Sequence, residues 1–376
     1  MRVFQERLDA NGKWQSLGTP FEDARLVLFF GGRDLLDDPA VFQHLRERHP
    51  KAILMGCSTA GEICGTQVSD STLIATAIHF EHTRLQLVST TVNEAGHSRM
   101  AGRQLAESLE RSGLAHVFVL SDGLHVNGTE LVAGLSEGLP ENVALTGGLS
   151  GDGANFGRTL VCADEAAAEC RVAALGLYGE RLRIGFGSLG GWDPFGPERL
   201  ITRSSGNVLY ELDGESALAL YKRYLGEHGS GLPATGLLFP LALRVAEHST
   251  PVVRTILAVN EAEQSLTFAG DVPQGARVRL MKANFERLID GATGAAKISQ
   301  DLSGLSAQLA ILISCVGRRL VLKQRVEEEV EGVRDVLGKN AVLAGFYSYG
   351  EISPHTPSAK CELHNQTMTI TTFNEI

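Results

Sequence analysis

The sequence predicts an α/β protein made of two related mixed-sheet lobes, with considerable antiparallel pairing and helices packed on the sheets. Three observations lead there. Short apolar runs bounded by turn residues alternate with helix-period segments, strands follow one another in pairs between helical crossovers, and the same order of elements returns after residue 215. At 376 residues the chain is long enough for two domains. They are expected at 1–210 and 211–376.

The runs 25–30 and 52–56 read as buried strands on either side of a helix over 39–48. Strands 72–80 and 84–92 follow, and the short turn 81–83 between them predicts an antiparallel pair. A helix over 98–111 leads to strand 116–120, a second over 128–137 leads to strand 142–146, and strands 159–163, 171–178 and 183–188 complete the first half. The second half offers a helix at 216–225, strands at 252–259, 266–270 and 277–281, a helix from Asn284 and strand 309–315. An acidic helix over 326–337 and strands 341–346 and 367–373 end the chain.

Local sequence supports kinship between the halves. AILMGCSTAGEI (52–63) and AVLAGFYSYGEI (341–352) agree at six of twelve positions without a gap, and VALTGGLSGD (143–152) repeats their strand, glycine, hydroxyl and closing Gly-acid pair. Each copy sets a hydroxyl, a glycine and a carboxylate at a strand end, where ligand sites of sheet proteins commonly lie. Glu62, Asp152 and Glu351 are therefore expected to converge on one cleft or on two related ones.

Composition narrows the function. A formal charge of -10 repels phosphate backbones and anionic lipid, so nucleic acid is not expected as a partner. No apolar run approaches the ~20 residues a spanning helix needs, and the charged, polar N-terminus carries no export signal, so membrane insertion is not expected and the cytosol is. Six cysteines without a CxxC pair read as reduced thiols, and the lack of CxxCH excludes covalent haem attachment. A homo-oligomer remains compatible with all of this.

Several literal motifs lead nowhere. GFGSLG (185–190) matches GxGxxG but is followed by Trp192, Asp193 and Pro194 instead of a helix. GLSGD around Ser150 lacks the last glycine of a nucleophile elbow, and Cys315 has no visible base beside it. These make an enzyme the least favoured class. Among histidines, His125, His248, His355 and His364 lie in loops or at strand edges near the Gly-acid units, where an imidazole can serve as a metal ligand. Ser121, Asp122 and Gly123 form a further polar strand end, and Asn127 is expected to cap the helix that follows.

SDG (121–123), TGGLSGD (146–152), ELDGESAL (211–218), CVGR (315–318) and GFYSYGEI with HNQTMTIT (345–371) together resemble FIST N and FIST C domains. The resemblance covers nearly the whole chain and implies a small-ligand sensor in signal transduction. A standalone chain of this size is similar to the bacterial haem-binding nitric oxide sensors of the NosP type. That likeness implies non-covalent b-type haem, nitric oxide as the signal, and a sensor or hybrid histidine kinase as partner, feeding cyclic-di-GMP or biofilm output. On this reading His364 is the axial metal ligand, with His355 and His125 next in order, and Arg318 or Arg254 meets the haem propionates. The alternative is a non-haem module for a small metabolite such as an amino acid, bound through Ser121, Asp122, Ser150, Asp152, Glu62 and Glu351. In that case the acids hold an ammonium group and glycine N–H groups hold a carboxylate.

Overall fold

The computed structural model describes residues 1–245, 251–355 and 359–376. His248 lies outside the described residues. The chain is mixed α/β, as expected, and its body consists of three six-stranded sheets that share one plan. Each sheet is centred on a parallel pair joined by a helix. Leu26–Gly31 pairs with Ile53–Ser58 across helix Pro39–Arg48, and Leu114–Ser121 pairs with Ala144–Leu149 across helix Gly128–Gly138. The third pair is Leu309–Cys315 with Val342–Ser348, across helix Val326–Leu337. These strands are buried almost throughout, which is why they read as continuous apolar runs.

The first strand of each pair takes an antiparallel neighbour: Leu73–His79, Arg171–Tyr178 and Met368–Glu375. The second strand takes one from another unit. Glu62–Cys64 joins Val342–Ser348, Val161–Ala163 joins Ile53–Ser58, and Gly350–Pro354 joins Ala144–Leu149. Three backbone hydrogen bonds close this exchange into a ring: Ala60 N–H donates to Tyr347 (2.8 Å), Gly151 to Ser58 (2.9 Å) and Tyr349 to Leu149 (3.2 Å). The first and last parts of the chain are thereby woven into one body.

The repeated glycine has a steric cause. A Cβ on Gly56, Gly147 or Gly345 would stand 2.3, 1.9 or 1.8 Å from the carbonyl oxygen of Phe29, Val119 or Leu312, the residue opposite it in the parallel pair. Only glycine fits there.

One expected pairing does not form. Leu73–His79 lies in the first sheet, whereas Arg84–Thr91 is an edge of the second, on Arg171–Tyr178. The link between them crosses from sheet to sheet because the amides of Glu81, His82 and Thr83 donate to the Glu375 carboxylate at 2.6–2.8 Å. A short turn therefore does not make a hairpin here.

A fourth sheet of eight strands, built from residues 193–282 and antiparallel throughout, stands beside the body. It has its own core, in which Leu209, Phe268 and Leu280 of the sheet cluster with Tyr221 of helix Ala217–Leu225. The run read as one strand at 252–259 divides at Thr255 into Val252–Arg254 and Ile256–Asn260. Helix Phe285–Ser303, capped by the Asn284 side chain, carries the chain back to the body. Gly185 and Gly187 of the GFGSLG segment let strand Leu182–Leu189 lie against this helix, since a Cβ on either would meet the carbonyl of Ser299 or Ala295. Among the described residues no helix is long and apolar enough to cross a membrane.

Candidate ligand cleft

The three strand-end acids first act as clasps. Glu62 accepts the Thr59 hydroxyl (2.5 Å) and both the N–H and hydroxyl of Thr72 (3.1 and 2.8 Å). Glu351 repeats the arrangement with Ser348 (2.7 Å) and with Thr367 (3.2 and 2.9 Å). Burial raises Glu62 to about 7 and Glu351 to about 8, against the opposing pull of these donors. Asp152 instead accepts Arg158 N–H at 3.1 Å and pairs with Arg33 at 3.2 Å. Glu62 and Asp152 do share a hollow, a polar one of about 310 Å³ that also holds Arg33 and Asp70. Glu351 does not join them, being sealed inside the body. Ser121 and Ser150 are buried as well, Ser150 Oγ donating to the Ser121 carbonyl at 3.0 Å.

The nominated imidazoles and guanidinium groups fall into separate places. His364 is buried and its Nε2 lies 2.9 Å from the Ser353 carbonyl, so Nε2 carries the proton; burial lowers its pKa to about 4 and keeps the ring neutral. His355 stands 5.8 Å from it, ring centre to ring centre. Arg254 joins this pair from the neighbouring sheet, donating to the carbonyls of Leu363 (3.0 Å) and Asp271 (3.1 Å). Arg318 is elsewhere and fully committed: its guanidinium pairs with Glu329 at 2.6 Å and donates to the Leu288 and Gly190 carbonyls, with no surface left for a propionate. Glu329, one of the acids of helix Val326–Leu337, thus points inward and also accepts Tyr347 Oη at 2.6 Å. His125 sits with Asp122 at the end of strand Leu114–Ser121, 3.2 Å apart. Asn127 caps the following helix, as expected, accepting Glu130 N–H.

A large cavity lies between body and fourth sheet. It measures about 1040 Å³, and the body contributes Leu124, Val126, Phe156, Leu320 and Tyr349 to its walls. The fourth sheet contributes Leu232, Leu257, Phe268 and Asp271. Leu124, Phe156, Leu257 and Leu320 are each more than a third exposed, which is costly for apolar side chains unless something covers them. Phe156 stacks on Tyr349 with ring centres 4.5 Å apart. Cys315 also lines the cleft, but burial drives its thiol far up, so no thiolate stands ready for chemistry. None of His364, His355, His125, Arg318 and Arg254 is among the lining residues. Arg254 packs behind Gly270 of the wall, and His125 stands between Leu124 and Val126, which line it.

Sequence reasoning missed this cleft because its walls are scattered apolar residues from loops and turns, which look like core. Phe156 carried the single local signal. It is a bulky residue inside the loop DGANFG (152–157), and it adopts a positive φ of 50°.

Residues 25–215 match the FIST N domain family and residues 217–354 the FIST C domain family. An uncharacterized protein of Methanocaldococcus jannaschii is 23 % identical over 355 residues, covering 87 % of this chain and 66 % of that protein. The chain thus spans about two thirds of that relative's length. Among solved structures, cyanuric acid hydrolase from A. caulinodans aligns over 94 % of this chain and 91 % of its own, at 8 % identity and a TM-score of 0.33.

Proposed function

The chain belongs to the FIST family, whose domains are sensory domains of signal transduction, and from that premise we propose that it senses a small, mostly apolar ligand in the cleft between body and fourth sheet. The observation that carries this is the ring of exposed Leu124, Phe156, Leu257 and Leu320 around a cavity of about 1040 Å³. That is the upper end of the usual ~300–1,000 Å³ for small-molecule sites. Two separately cored parts supply the walls, so a ligand that prefers one relative setting of them shifts the population toward it. A difference of about 1–3 kcal/mol suffices to change a partner's affinity 5- to 150-fold. The partner we assign is a histidine kinase, with cyclic-di-GMP or biofilm behaviour downstream.

Haem-based nitric oxide sensing is the second reading, favoured by the volume and apolar walls of the cleft. The described lining offers no imidazole. The imidazole ligation expected of His364 is therefore not available in the cleft, whose lining offers only Cys315 and Tyr349 of the usual axial-ligand types, and the sensing scheme above does not depend on iron.

Binding of the apolar fluorophore anilinonaphthalene sulfonate tests the cleft assignment. We expect one site in the native protein and at least a roughly tenfold loss of affinity in Leu320→Glu, since a leucine contact covered by the ligand contributes up to about 1.5–3 kcal/mol, or roughly 10- to 150-fold. Equal binding by both proteins would overturn the cleft assignment. A visible spectrum of the protein titrated with haemin, with and without dithionite and nitric oxide, tests the second reading. A Soret band that moves with nitric oxide and is lost in His364→Ala would establish haem, and the lack of any saturable Soret band would dismiss it.

A further inference from the structure

Asp122, His125 and Cys170 form a cluster that the cleft does not use. Asp122 has no exposed surface. Its Oδ1 accepts the N–H groups of Leu124 (2.8 Å) and His125 (2.7 Å), and its Oδ2 accepts that of Cys170 (2.9 Å). The carboxylate is thus fixed in place by three backbone donors and, among the described residues, by no Lys or Arg. His125 Nδ1 lies 3.2 and 3.3 Å from the two oxygens, and its ring is 40 % exposed. The Cys170 thiol completes the group from the start of strand Arg171–Tyr178. One ligating atom from each of the three lies within 4.8 Å of the others.

We propose that this trio binds a thiophilic divalent cation of the zinc class. An imidazole nitrogen, a thiolate and a carboxylate oxygen are the three donors such a cation takes, and the exposed side of His125 leaves a fourth position for water. Magnesium and calcium do not use sulfur. Oδ2, with a single backbone donor, keeps acceptor capacity for the metal, and the N–H groups that hold Asp122 act as the orienting outer layer that metal sites need. The Asp122 carboxylate supplies negative charge beside the Cys170 thiol, whereas the neighbouring Glu169 is already paired with Arg158. Binding replaces the thiol proton by the metal and releases it to solvent, so the S–H bond breaks as the S–metal bond forms.

The position matters for sensing whatever occupies the cleft. Gly123, Leu124, Val126 and Asn127, which flank His125, form part of the cleft wall. A metal that ties His125 to Cys170 fixes the loop carrying them.

The test uses the whole chain, stripped with a chelator and titrated with Zn²⁺ alone against a chromophoric competitor, then with Co²⁺. The expected result is one equivalent of Zn²⁺, a thiolate-to-cobalt charge-transfer band, and an affinity loss of at least roughly 100-fold in both Cys170→Ser and His125→Ala, at or beyond the upper end of what outer-layer changes cause. Cys170→Ser keeps the backbone N–H that Asp122 needs, and circular dichroism verifies the fold of each variant. Cys361→Ser, a thiol on another strand, should bind as the native protein does. No stoichiometric binding, a cobalt complex without the charge-transfer band, or unchanged affinity in either variant would overturn the proposal.

Discussion

Replacing Glu351 with glutamine should leave stability nearly unchanged near pH 5 and raise it relative to the native protein above pH 8. Burial lifts this carboxyl from 4.5 to about 8, outweighing the Ser348 and Thr367 donors and the Arg318 charge. In the unfolded chain it ionises near 4.5, so between the two values the folded state binds the extra proton. Stability from this group is fully present below 4.5, falls as pH rises through the window, and levels off above 8. At about 1.4 kcal/mol per pKa unit the span amounts to roughly 5 kcal/mol as an upper bound, which water entry and relaxation reduce. Glutamine imitates the neutral acid: its NH₂ can donate to Ser348 Oγ, whose own hydrogen is then free for the Ser314 carbonyl at 3.3 Å. The assay is urea unfolding of both proteins from pH 5 to 9, taking the difference between them so that His116 and His364, which also titrate on unfolding, cancel. A difference that stays constant, or that moves in favour of the native protein as pH rises, would refute the reasoning.

Two further perturbations probe the body. Arg318→Met strands Glu329 as a buried unpaired charge and should cost about 3–5 kcal/mol in urea unfolding, whereas Arg318→Met combined with Glu329→Leu should recover part of that loss. Glu375 is held near 2 although burial alone would raise it, because the Thr83 hydroxyl and the amides of residues 81–83 favour the ionised form. Its stabilisation is therefore complete above about 4.5 and lost as pH falls toward 2, and Glu375→Gln should remove that acid-side slope while costing about 1.5–3 kcal/mol at neutral pH.

Legibility in the sequence followed burial. The six central strands are enclosed on both faces, so their apolar runs announced them to within a few residues, as did helix Pro39–Arg48, whose Asp38 cap and leading proline are local signals. Strand Asp193–Ser205 was invisible because its exposed alternation includes Pro194, Gly196 and Pro197, which read as loop. Arg2–Leu8 hid among charged residues, with Glu6 turned inward toward Arg48. The wrong pairing of the strands around residue 82 had another cause: partner choice depended on Glu375, nearly 300 positions away, and no local pattern carries that. For the site, the sequence exposed the residues that repeat, and the cleft is built largely from residues that do not.

This contrast has a structural reason. At the fourth position after the packing glycine, the three turn units carry Ala60, Gly151 and Tyr349, and all three amides make the same ring-closing hydrogen bond. The backbone task is common to the units, so it demands a glycine, a hydroxyl or an acid in every copy and leaves a repeated signature. The fourth position is free of that demand. Two copies keep it small, a Cβ on Gly151 standing 2.8 Å from the amide nitrogen of Ala60, while the third carries Tyr349, which stacks on Phe156. The acids that repeat are therefore explained by holding the turns, and the aromatic pair that breaks the repeat is where ligand specificity has room to arise. The three units share the frame, and the departure from it forms part of the wall of the cleft.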